Sequence, residues 1–171
     1  MVNTAYSFLR AHGFWILIAS IVMLEVAALY YQYVLDYLPC TMCIHVRVWL
    51  VGLLVATLFA WWAKSKSWFS FSLVPMLVFE GILVERSWQL LSTERGWSMG
   101  SCSMDLGFPA GFQPDVWLPS VFEALEPCGY TPFVIMRFSM AEMLLAYSLV
   151  ATLITVFVLA MALRNIEKVA D

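Results

Sequence analysis

Residues 14–34, 44–63, 68–88 and 140–163 form four long, mainly apolar stretches. A hydrocarbon core of roughly 30 Å is crossed by about 20 such residues at about 1.5 Å of helical rise each, so each stretch is long enough to span a bilayer. Of the 171 residues, 63% are hydrophobic and 12% charged, with a mean hydropathy of +0.84, far from the mix of a water-soluble domain. The expectation is a single all-α membrane domain over residues 1–171: a four-helix transmembrane bundle with one long outer loop. Arg47 in the second stretch, and Glu80, Glu85 and Arg86 in the third, make those two rest on pattern and length rather than on unbroken apolarity. The first stretch reads as a retained helix, since it is too long for a signal peptide and no small-residue cleavage pattern follows it. A net charge of -3 gives no reason to expect a nucleic acid partner.

Four spans put both termini and the turn at 64–67 on one face, and the segments 35–43 and 89–139 on the other. Arg10, Lys64, Lys66, Arg164 and Lys168 fall on the first face, against Arg86, Arg95 and Arg137 on the second. The excess of positive charge places the termini in the cytoplasm. Trp15, Trp61, Trp62 and Trp68 cluster at that interface, and Tyr30, Tyr31, Tyr33, Tyr37 and Trp88 at the other, where amphipathic rings settle at headgroup depth.

All four cysteines fall on the outer side, none within the apolar body of a span where a packing cysteine belongs. Cys40 and Cys43 form a CxxC where a helix begins, and unpaired N–H groups and the helix dipole there favour a thiolate. Arg47 follows Cys43 by four residues on the same helical face, placed to stabilise that thiolate or an anionic oxygen beside it. Its bland alternative is a side chain that snorkels to the headgroups. Cys102 and Cys128 are widely spaced in a loop with glycines and prolines, which suits an exposed disulfide open to attack; a static structural disulfide is the alternative. Zinc fits poorly, since structural zinc sites usually show two close-spaced pairs. His45 and His12 make no convincing ligand or base.

Leu24-Glu25, Pro39-Cys40-Thr41-Met42-Cys43-Ile44 with Arg47, Gln89-Leu90, Cys102, Trp117-Leu118-Pro119-Ser120-Val121-Phe122, Cys128 and Phe138-Ser139-Met140 together resemble the DsbB family of bacterial inner-membrane disulfide-bond formation proteins over nearly the whole chain. The resemblance implies an enzyme that reoxidises DsbA, a soluble periplasmic thioredoxin-fold oxidase, and passes the electrons to a membrane quinone, ubiquinone or menaquinone. It implies that Cys102 forms the mixed disulfide with the partner, with Cys128 as its mate, and that Cys40 and Cys43 are the pair next to the quinone. Cys43 is then the thiolate that meets the quinone ring, and Arg47 the residue that polarises a quinone oxygen. Exchange needs a reachable disulfide and a lipid-soluble acceptor needs a thiol at membrane depth, and the two pairs occupy those two places. Residues 115–125 read as a short amphipathic helix, lying on the membrane surface or packing on the bundle.

Ala141 and Glu142 stand where many relatives have proline and glutamine, and Glu94-Arg95 where some have a histidine near the quinone. A vitamin K epoxide reductase-like protein also couples thiols to a quinone, but there the loop pair precedes the CxxC. A non-enzymatic membrane scaffold with two static disulfides is the rival of a different class. It predicts no quinone and no exchange, and it gives Arg47 no task.

Overall fold

The computed structural model describes residues 2–66, 68–97, 106–109, 111–126, 133–135 and 138–170. The chain begins with α1 (Val2–Phe8), which runs through a π-helical turn (Leu9–Gly13) into α2 (Phe14–Tyr33). Next come α3 (Thr41–Ala63) and α4 (Phe69–Glu94), then two single turns, α5 (Pro114–Trp117) and α6 (Pro119–Phe122). Strands β1 (Phe133–Ile135) and β2 (Phe138–Ser139) form a small antiparallel ladder, and α7 (Met140–Ala170) ends the chain.

Among the described residues three helices are long and apolar enough to cross a membrane, Thr4–Tyr33, Thr41–Ala63 and Met140–Arg164. Only 11% of the most apolar window of the first, and 28% of that of the last, is buried inside the protein. Met23, Phe71 and Leu153 are among the many large apolar side chains turned outward. Surface of that kind is stable against lipid, not water. The chain is an all-α membrane protein. α4 matches the three in length but carries Glu80, Glu85 and Arg86. It turns much of its polarity inward, for Ser72, Glu80 and Ser87 are completely buried with Met76 and Leu83 on one helical stripe. The Ser72 and Ser87 hydroxyls donate to the carbonyls of Phe69 and Leu83, and the Thr155 hydroxyl of α7 donates to Glu80 Oε1 at 2.8 Å.

α4 is the central element, packed on α3 on one side and α7 on the other, while α2 packs on α3. α3 and α4 approach so closely at Gly52 that a Cβ there would lie 2.4 Å from the Phe79 ring. Ile21, Leu53, Leu73 and Leu83 form the fully buried centre. α2 and α7 stand apart, joined through the Ser20 Oγ and Tyr147 OH hydrogen bond of 2.9 Å.

α4 continues beyond Trp88 because residues 89–94 carry nothing that breaks a helix, and it stops at Gly96. That residue has φ +69, with the Gly96 N–H donating to the Thr93 carbonyl and the Trp97 N–H to the Ser92 carbonyl, a Schellman cap. The continuous helix expected over 115–125 is replaced by α5 and α6. Pro119 supplies no N–H and disfavours helical backbone at the residue before it, so Leu118 breaks the run with φ -140 and ψ 68. Val116, Trp117 and Leu118 remain largely exposed. The β1–β2 ladder is likewise absent from the sequence reading.

Candidate functional site

Pro39 keeps the chain extended up to Cys40, whose own backbone is extended (φ -81, ψ 163) and which caps α3. The Cys40 sulfur accepts the Cys43 N–H at 3.3 Å, and the Cys40 carbonyl accepts the Ile44 N–H at 3.1 Å. This first turn brings Cys40 Sγ within 2.7 Å of Cys43 Sγ, so the pair is placed to make and break a bond between them. Cys40 is buried and Cys43 half-buried. The segment after α6 is seated against this turn, with the Leu125 and Glu126 N–H groups donating to the Pro39 carbonyl and Cys40 bridged to Glu126. Cys102 and Cys128 lie outside the described residues.

Arg47, one turn further along α3, is only 5% exposed and does not snorkel. Its Nη1 donates to Gln32 Oε1 at 2.5 Å and to the Val121 carbonyl at 3.0 Å, and its Nη2 donates to the Ala28 carbonyl at 3.0 Å. Gln32 Nε2 and the Tyr33 hydroxyl donate to the Ser120 carbonyl. One guanidinium therefore fastens α2, α3 and α6 together. Sequence reasoning missed Gln32, although Glu25, Ala28 and Gln32 fall on one face of α2 at helical spacing. Glu25 Oε1 is buried with no hydrogen-bond partner among the described residues.

Cys43 and Arg47 line one cavity of about 150 Å³ at the end of the protein away from the termini. Its walls are mostly apolar, from Leu24 and Ala27 of α2, Val46 and Leu50 of α3, Leu90 of α4 and Leu144 of α7. The family model for Disulfide bond formation protein DsbB matches residues 10–158.

The chain belongs to the DsbB family.

It is 31% identical to Disulfide bond formation protein B of Shewanella frigidimarina, over 88% of this chain and 90% of that protein. It is 32% identical to Disulfide bond formation protein B 2 of Pseudomonas aeruginosa, over 89% and 92% respectively. The counterpart from Yersinia pestis is 29% identical, over 86% of this chain and 87% of that protein.

Two positions singled out in the sequence, Arg95 and Glu142, meet in space. Arg95, after α4, forms an ion pair with Glu142 in the first turn of α7. Glu142 also completes a capping box, since its Oε2 accepts the Ser139 N–H at 3.1 Å and its own N–H donates to Ser139 Oγ at 3.3 Å. The Ser-x-x-Glu spacing before an apolar run was the available signal. His45 forms a 2.8 Å hydrogen bond with the Leu106 carbonyl and stacks at 4.6 Å on Phe108, so it holds the loop.

Proposed function

We propose that this protein is a quinone-dependent thiol oxidase that reoxidises a periplasmic DsbA-like thioredoxin-fold dithiol oxidase. The observation that carries the reading is the mostly apolar cavity shared by Cys43 and Arg47. A quinone ring offers flat apolar faces and two carbonyl oxygens; Leu24, Val46, Leu50 and Leu144 suit the faces, and the Arg47 guanidinium suits an oxygen. Bound there, ubiquinone or menaquinone supplies a sink for two electrons and two protons.

The chain's own residues carry the relay. A partner thiolate attacks Cys102, which breaks the Cys102–Cys128 bond and forms a mixed disulfide. The partner's second thiolate resolves it, which leaves the partner oxidised and Cys102 and Cys128 as thiols. Exchange with the Cys40–Cys43 disulfide then remakes the Cys102–Cys128 bond and leaves Cys40 and Cys43 reduced. Loss of two electrons and two protons from that pair into the cavity restores its bond. Glu126, held beside Cys40, stands two positions before Cys128 in the chain, which supports exchange between the pairs.

The same reading places a single four-span domain in the bacterial inner membrane, with spans over about 14–34, 44–63, 68–88 and 140–163. Both termini are cytoplasmic, and the loops at 35–43 and 89–139 are periplasmic. The inward polar stripe of α4 supports it as the remaining span. The test is reoxidation of a reduced thioredoxin-fold oxidase by the purified protein, followed through the partner's thiols with and without quinone. Oxidation that needs quinone, Cys43 and Cys102 is expected. Normal turnover in Cys43→Ser or Cys102→Ser would overturn the assigned roles.

A further inference from the structure

A second cavity, of about 290 Å³, lies nearer the termini, where α2 and α7 stand apart over α4. Leu9, Gly13 and Leu17 line one wall, Leu73 and Met76 the floor, and Ala151 and Val158 the other wall. From Leu9 to Ser20 the groove follows 11 helical steps, about 16 Å at about 1.5 Å each, or half of a roughly 30 Å hydrocarbon core. It therefore has the depth of one leaflet.

The hydroxyls that reach this groove already have partners. Ser20 Oγ bonds the Leu17 carbonyl and Tyr147 OH, and Thr155 Oγ1 donates to Glu80. Among the described residues no charged side chain and no thiol lines it. The interior thus suits a hydrocarbon chain and offers nothing to a polar ring.

Its mouth is different. Arg10, in the π-helical turn beside Leu9 and Gly13, is exposed; it stacks at 5.2 Å on Phe69 and donates to the Lys64 carbonyl at 2.6 Å. Phe69 packs edge-on against Phe14 of the groove. Lys64 lies 5.6 Å over Trp61, and Lys66 lies 3.0 Å over Trp62 and 5.4 Å from Trp68. The Arg10 bond to the Lys64 carbonyl brings the turn that carries Lys64 and Lys66 beside the mouth, and among the described residues no ion pair neutralises these three cations.

We propose that this groove is a binding site for one anionic phospholipid, with an acyl chain between α2 and α7 and the phosphate against Arg10, Lys64 and Lys66. Native mass spectrometry of the full chain, titrated with phosphatidylglycerol or with phosphatidylcholine of the same acyl chains, reads the first bound lipid. The wild type is expected to bind phosphatidylglycerol more tightly. Arg10→Gln, Lys64→Gln and Lys66→Gln should each lower that affinity about fivefold, the ratio given by about 1 kcal/mol per basic residue near an anionic surface, and leave phosphatidylcholine unchanged. Ala151→Phe, which fills the groove, should weaken both lipids. If that variant does not fold, the exposed Arg10→Gln carries the test alone. Equal binding of the two lipids by the wild type, or an unchanged preference in the glutamine variants, would overturn the proposal.

Discussion

Arg47 shows how one buried cation serves two ends. Its three acceptors, Gln32, Ala28 and Val121, tie α2 and α3 to α6, and the same side chain lines the cavity beside Cys43. It therefore has a structural task even in a static scaffold, so the presence of Arg47 does not by itself mark a quinone enzyme. Arg47→Lys keeps the charge but loses the planar fork. A stability loss of about 1–3 kcal/mol is expected from the carbonyls left unsatisfied, together with a raised KM for quinone. Gln32→Leu, which removes one acceptor outside the cavity lining, should lower stability and leave that KM largely unchanged. Denaturant unfolding in detergent and quinone titration separate the two effects, and equal changes in both variants would make Arg47 purely structural. The CxxC and Arg47 were legible in the sequence because their spacing is local. The acceptors were not, since Val121 lies 74 positions from Arg47 and offers only a backbone carbonyl, which no side-chain pattern announces.

At the scale of elements, the helix ends carry much of the specification. α4 stops at the Gly96 cap, and α7 starts at the Ser139–Glu142 box, with Arg95 and Glu142 clasping the two ends. Ser139→Ala should cost about 1 kcal/mol, a lost N-cap, and lower the Tm by a few degrees in a thermal melt. An unchanged Tm would show that the box contributes nothing. Between α3 and α4, Gly52→Val should cost about 1–3 kcal/mol through overpacking on Phe79, and Phe79→Ala in the same chain should recover part of that loss. The long apolar runs made the existence of α2, α3 and α7 readable. The break at Leu118 is also written in the sequence, as Pro119, but the apolar pattern of 115–125 masks it by matching a single amphipathic helix.

At the scale of the whole molecule, apolar side chains face outward and the buried serines, Thr155 and Glu80 face inward, the arrangement of a protein whose solvent is lipid. Composition and the length of the apolar stretches pointed to the membrane, and the family match over residues 10–158 agrees with it, whereas the inward polar stripe was not read from the sequence. The groove between α2 and α7 was not legible, because it depends on two helices far apart in sequence that fail to close on each other. Orientation is open to a direct check. In a chain whose Cys40, Cys43, Cys102 and Cys128 are replaced by serine, a membrane-impermeant maleimide applied to cells with a permeabilised outer membrane should label Gly111→Cys and spare Ser65→Cys, and the reverse pattern would invert the topology.

The central claim is that electrons leave the protein's thiols for a quinone through Cys43. The most direct measurement is an anaerobic one, in which quinone absorbance and partner thiols are followed together as the purified protein turns over. The account predicts one quinone reduced for every two partner thiols lost, and none reduced by Cys43→Ser. Partner thiols that disappear without an equal formation of quinol, or quinol formation that persists in Cys43→Ser, would contradict it.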